Sequence, residues 1–305
     1  MFVIVLSQSN LVQDGQNNKF IYKFPNSILL KDKYIAVSNI SMYYSWFNIT
    51  SALGNNTFTY TWTSGVVTTT YTIVIPDGLY EISAINNYCQ FFMIQQGTYW
   101  INSVGDYVYP FEILLNPTRY AVQINTFLIP VALPPGSSIP GNFAGWPAVT
   151  QNPVITIPSA FNAIVGYTAG FTTNANLANA YVPPTPATAT TNYATKDGVG
   201  TLSYLSDTSP QVQPNNTVLF SVSNINNPYT QPSSIIFSLN PNVAAGSQIT
   251  VTPPNFMWNK MIDGTYSELR LSLLGSNLQP LTIRDPNITI LLTIRDQNEG
   301  FLASK

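Results

Sequence analysis

The chemistry open to this chain is narrow, because its 305 residues include no histidine. That removes the commonest general base and the commonest metal ligand together. A Ser-His-Asp or Cys-His nucleophilic site cannot be built. A zinc site cannot be built either, since Cys89 is the single cysteine. No Walker A loop and no G-x-G-x-x-G run occurs in the sequence. What remains is carboxylate chemistry, as in glycosidases, which need two acids about 5–9.5 Å apart. The candidates are Asp14, Asp32, Asp77, Glu81, Asp106, Glu112, Asp197, Asp207, Asp263, Glu268, Asp285, Asp296 and Glu299. Most lie beside Gly, Pro or Asn, where turn and cap roles are expected, and Asp77-Gly78 and Asp263-Gly264 read as turns. No loop has the spacing of an EF-hand calcium site. The reading is therefore of a protein that is not an enzyme, with no catalytic, cofactor-binding or metal-binding residues assigned.

The elements that would position any site are strands. Short runs rich in Val, Ile, Thr, Tyr and Phe recur between Asn, Gly, Pro and Ser, which predicts a sandwich or roll. The expected strands are 2–6, 19–24, 34–46, 57–62, 69–75, 111–115, 120–124, 218–222, 234–239, 248–252, 268–274 and 288–295. In the segment 268–274, Leu269, Leu271 and Leu273 point one way, while Glu268, Arg270 and Ser272 point the other. One helix is expected near 83–95. Ile82, Ile85, Cys89 and Phe92 share a face, with Ser83 as N-cap and Gly97 as the stop. Cys89 is then a packed, inert thiol. From about 130 to 214 the chain is rich in Pro, Thr and Ala, as in Pro183-Pro184-Thr185-Pro186. Regular strands are hard to draw there, so long loops are expected, with a helical turn near 159–165.

Charge is scarce. Only 8% of residues are charged, against about 25% in a typical soluble domain. Between Tyr120 and Asn259 the charged residues are Lys196, Asp197 and Asp207. Interface cores are depleted in Lys, Glu and Asp and enriched in aromatics, so this span is read as surface that lies against other subunits. Net charge is −2 and no basic stripe exists, so direct nucleic-acid binding is not expected. No run is long and apolar enough to span a membrane. The abundant rings, 18 Tyr, 16 Phe and 5 Trp, serve core and interface packing or a glycan-binding platform. Four Asn-x-Thr triplets, at Asn48, Asn55, Asn215 and Asn287, fit the glycosylation pattern and are common by chance in a chain this rich in Asn and Thr.

An ordered series of segments resembles the single jelly-roll penton proteins of tailless icosahedral double-stranded DNA viruses, the virophage and polinton-like group. The series runs from Asn18-Lys-Phe-Ile-Tyr-Lys-Phe-Pro25 and Tyr34-Ile-Ala-Val-Ser-Asn-Ile-Ser-Met-Tyr-Tyr-Ser-Trp46 through Tyr71-Thr-Ile-Val-Ile-Pro-Asp-Gly78. It continues with Phe161-Asn-Ala-Ile-Val-Gly166, Gly246-Ser-Gln-Ile249, Asp263-Gly-Thr-Tyr-Ser-Glu-Leu-Arg270 and Leu291-Leu-Thr-Ile-Arg295. The chain departs from the family pattern at Leu274-Gly-Ser-Asn277, where a charged or amide pair is usual. The resemblance implies an all-β fold: a single jelly roll of two packed antiparallel sheets over residues 1–305, with the segment at about 130–214 forming an elaborated tip. It also implies a structural capsid protein of the virion. The subunit would form a homopentamer at the fivefold vertex, beside major capsid protein trimers and minor capsid proteins, and would assemble in the host cytoplasm or a viral factory. The competing reading is a minor cement protein or a glycan-binding adhesin.

Overall fold

The computed structural model describes residues 1–168, 170–174, 201–212 and 217–297. The strands in chain order begin with β1 (Phe2–Leu6), β2 (Lys19–Leu30), β3 (Lys33–Tyr43), β4 (Thr57–Ser64) and β5 (Val67–Val74). Helix α1 (Ile82–Gln96) follows, then β6 (Trp100–Ile101), β7 (Tyr107–Val108), β8 (Phe111–Asn116), β9 (Ala121–Thr126) and β10 (Ile155–Ile157). The short helix α2 (Asn162–Val165) precedes β11 (Phe171–Thr172), β12 (Leu202–Leu205), β13 (Val218–Val222) and β14 (Ile235–Leu239). The last strands are β15 (Gln248–Val251), β16 (Asn259–Lys260), β17 (Gly264–Leu274) and β18 (Thr289–Asp296). They group into two compact units, Met1–Phe47 with Gln213–Lys305, and Asn48–Val212.

The first unit is a jelly roll. Its sheets run β1-β18-β3-β15, with β16 also on β3, and β14-β13-β17-β2. Leaving out the two-residue β16 and counting the other eight strands along the chain, these are orders 1-8-3-6 and 5-4-7-2, the double Greek key of that fold. Alternation along each strand sends one row of side chains inward. Ile4 and Leu6 of β1, Ile290, Leu292 and Ile294 of β18, Phe220 and Val222 of β13, and Leu269, Leu271 and Leu273 of β17 meet in one core. Glu268 and Arg270 take the opposite face of β17, as their spacing predicts, and pair at 2.6 Å. Strand β2 runs on past Pro25 to Leu30. Proline is tolerated there because β2 lies at the edge of its sheet, and a break in register opposite Tyr266–Glu268 relieves the ladder.

The second unit interrupts the roll in sequence between its third and fourth strands. It holds a four-stranded sheet, β11-β10-β4-β5, a three-stranded sheet, β12-β9-β8, and α1, which packs on β8. Phe58, Tyr60, Ile73, Ile85, Cys89, Met93, Phe111 and Ile124 share its core. This unit begins at Asn48, well before the Pro/Thr/Ala-rich segment at about 130–214. The sequence does not announce that start, because the strands at 57–74 and 111–126 carry the same β-branched pattern as the roll. Two further expectations are corrected. Ser83 lies inside α1, whose N-cap is Glu81, and no side chain caps that end. The span from 130 to 214 also contains β10, β11 and β12, each too short to show an alternation. The expected turn near 159–165 is α2, and Gly97 ends α1 in the left-handed region at φ 67°. The residues 183–191 lie outside the described residues.

The alternating strand β17 supplies a direct test. Leu271→Ala is expected to cost ~2–5 kcal/mol, because a fully buried side chain leaves a cavity between two sheets. Arg270→Ala on the wet face is expected to cost under about 1 kcal/mol. Denaturant unfolding of both variants checks the contrast.

Candidate functional site

Most of the described carboxylates are held apart at separate turns. Among the described residues no group of three or more Asp, Glu or Cys side chains could hold a metal ion. Asp77 accepts from the backbone N–H of Ser51 at 2.6 Å and from its hydroxyl, fixing the loop before β4. Asp207 accepts from the Thr168 N–H and hydroxyl. Asp285 turns the chain by accepting from Asn287 N–H, and Asp14 does the same for Gln16. That bond, with the Lys19 ammonium 3.2 Å away, holds the Asp14 carboxyl below the usual range. Lys33 does the same for Asp296. Asp32 and Asp263 come side by side. Asp263 accepts the Asp32 N–H at 3.0 Å, while Asp32 pairs with Lys260 at 3.4 Å. Both are turn devices on an exposed end of the roll. Asp197 and Glu299 lie outside the described residues.

Glu112 is the one buried acid among the described residues, and it sits in a ladder of amides. Asn116 donates to Gln123 at 2.7 Å, Gln123 donates to Asn125 at 2.8 Å, and Asn125 donates to Glu112 at 2.9 Å. Ser203 also donates to Asn125, tying β12 into the row. These side chains alternate with Val122 and Ile124, which face the apolar core, so every residue of β9 is buried. Sequence reasoning missed this network. It placed a strand at 120–124 but did not see that Gln123 and Asn125 on its second face are buried as well.

Cys89 lies where the helix pattern puts it, fully buried, and burial pushes its thiol far above the ordinary range. The aromatics are mostly interior. Trp46, Trp62 and Trp100 are buried, and Arg295 stacks 4.0 Å over Trp258. Trp62, Trp100, Phe127 and Ile129 gather with Phe143 and Trp146 into a small second core. Trp62 donates its indole N–H to Gly145 O at 2.9 Å, which pins the 142–148 loop. Sequence spacing could not show this, because the rings come from four separated segments. Trp146 and Trp258 are half-buried, the latter outside this cluster. Asn48 and Asn55 are buried and donate to backbone carbonyls, so these two triplets are structural. Asn215 lies outside the described residues.

The grooves on the surface include one in each unit. One of about 410 Å³ is lined by Ser7, Gln8, Ser41, Tyr43, Gln248, Asn287, Ile288 and Thr289 of the roll. The other, about 560 Å³, is lined by Asn152, Val154, Thr172 and Tyr204 among others, in the second unit. Neither contains an acid, a base or a thiol, so neither offers proton-transfer or nucleophilic chemistry. What the surface does offer is uncharged apolar area. Val131, Leu133, Ile139, Val149, Val154, Tyr229, Phe256 and Met257 are exposed within the charge-poor span from Tyr120 to Asn259, and Val3, Val5, Leu29, Val66, Val67 and Leu115 are exposed outside it. Among the described residues no helix is long and apolar enough to cross a membrane.

No family model matches the sequence, and no curated protein matches it. Among solved structures, the matches include two from virophages. The penton protein of mavirus aligns at a TM-score of 0.41 and 9% identity, covering 96% of both chains. The Sputnik virophage structure, determined by cryo-EM, aligns at 0.36 and 11% identity, covering 96% of this chain and 97% of that one.

The thiol gives a test of the second unit's core. Cys89 is expected to be silent toward a disulfide reagent at pH 8 in native buffer and to react with one equivalent in denaturant. Native reactivity would mean that α1 opens from β8.

Proposed function

We propose that the chain is a structural subunit of a viral capsid, present in the virion, with no catalytic role. The finer form of the proposal is a penton: five copies around the icosahedral fivefold axis, in contact with major capsid protein trimers and with minor capsid proteins. The observation that carries it is the strand order of the first unit, 1-8-3-6 facing 5-4-7-2. Five of the seven ordered segments that resemble penton proteins fall on that frame, while Tyr71–Gly78 and Phe161–Gly166 lie in the second unit. Asn18–Pro25 lies in β2, Tyr34–Trp46 on β3, Gly246–Ile249 at β15, Asp263–Ser272 on β17 and Leu291–Arg295 on β18. A ring of identical subunits joins two different patches of each copy. Such patches must lose water on assembly, and exposed Val, Leu, Met and Tyr flanked by amides and hydroxyls lose it at lower cost than Lys or Glu.

Electron microscopy of particles that contain this chain is the test. Five copies at each vertex are expected. Copies spread over the facets, or a copy number other than about five per vertex, would sink the penton form and favour a cement role.

A further inference from the structure

Strand β5 forms one edge of its sheet, with β4 on one side and, among the described residues, no strand on the other. Natural sheets guard such an edge with lysine, proline, a bulge or brevity. Strand β2 is guarded in this way, by Lys19, Lys23, Pro25 and a register break. Strand β14 is short, and its carbonyls at Ile235 and Ile236 accept from Asn227 and Asn259. Strand β5 reads Val67-Thr-Thr-Thr-Tyr-Thr-Ile-Val74, with no charge and no proline, and the Tyr88 hydroxyl takes the outward carbonyl of Val74 at its end. Its register against β4 is unbroken from Thr57↔Val74 to Ser64↔Val67. Val67, Thr68, Thr69, Thr70, Thr72 and Val74 are exposed.

The direction of the backbone groups follows from the hairpin. A two-residue loop, Gly65-Val66, joins the strands, so Ser64 and Val67 exchange hydrogen bonds and the odd-numbered residues of β5 face β4. Two contacts agree. The Ile75 N–H donates to Asn56 O on the β4 side, and Val74 O turns outward to accept the Tyr88 hydroxyl. The N–H and C=O groups of Thr68, Thr70 and Thr72 therefore point away from the sheet.

We propose that this edge pairs with β5 of a second copy of the chain. The sequence is self-complementary in one antiparallel register. With Thr70 opposite Thr70 of the second copy, Thr68 meets Thr72, Thr69 meets Tyr71 and Val67 meets Ile73. All three outward residues then exchange hydrogen bonds with their counterparts. Threonine pairs and aromatic–β-branched pairs are favourable across strands, and no like charges meet. The contact has twofold symmetry, so it is distinct from contacts within a fivefold ring. It would hold free copies in pairs and cover an edge that otherwise recruits other chains. It stands independently of the penton reading.

Charge reversal at the symmetry centre is the test, with sedimentation of the full chain as the readout. The wild-type chain is expected to dimerise. Thr70→Lys and Thr70→Glu each place like charges face to face and are expected to weaken dimerisation by at least about tenfold. An equimolar mixture of the two variants restores it. Thr70 is exposed, so circular dichroism and thermal melting of each variant should match wild type. Thr70→Cys is expected to form a disulfide-linked dimer on mild oxidation. Thr68→Cys alone should not, but should do so when mixed with Thr72→Cys. A monomeric wild type, or a dimer unmoved by Thr70→Lys, overturns the pairing. A wild type that forms five-copy rings without any pairing of rings or of free copies also overturns it while leaving the penton reading intact.

Discussion

The roll depends on pairing between the two ends of the chain. Phe2–Leu6 lies against Ile290–Ile294, and Lys19–Leu30 lies against Gly264–Ser272. Each sheet thus contains strands from before and after the interruption, and the core between them draws on both. Loop-closure cost grows only with the logarithm of the intervening length. A large insertion between third and fourth strands is therefore compatible with the frame, provided that it buries its own core. The second unit does so, with two sheets, α1 and its own apolar cluster. The cost falls on kinetics, since long-range pairs form slowly.

Scarcity of charge is managed by amides. Where other proteins place an ion pair, this chain places Asn or Gln against the backbone. Asn48 donates to Tyr80 O and Val212 O while accepting from the Tyr80 N–H. Asn86 accepts the Ile113 N–H at 2.8 Å, joining α1 to β8 at the point where β8 would otherwise present a free edge. Asn142 and Asn152 hold loop segments to the carbonyls of α1 and β9. An amide both donates and accepts, so it can replace a missing backbone partner. It also carries no net charge, so its burial costs far less than burial of a carboxylate or ammonium.

Much of the roll was legible from alternation. The strand limits at 2–6 and 218–222 read from the sequence coincide with β1 and β13, and the Leu269–Leu271–Leu273 row is buried as expected. Alternation reports which face of a strand is apolar, but it does not report which sheet the strand joins. That is why the start of the second unit at Asn48 left no signal: its strands are written in the same residues. The helix start was misplaced for a local reason. Ser83 has the chemistry of a cap, yet Ile82 is needed in the core and draws the cap two residues earlier, to Glu81. The Glu112–Asn125 ladder was hidden because polar residues at period two signal water unless something covers them.

The absence of histidine and the scatter of the acids bear on function through the same physics. An active site concentrates titratable groups whose environments shift one another. Here the acids with known partners are distributed among turns, caps and ion pairs, and the one buried acid among the described residues is embedded in neutral amides. Such a distribution lets polar side chains stabilise loops at many separate points. It leaves the broad, uncharged parts of the surface to be defined by shape and backbone hydrogen bonding. On a surface of that kind specificity comes from geometry, from sheet edges and apolar relief, more than from electrostatic steering.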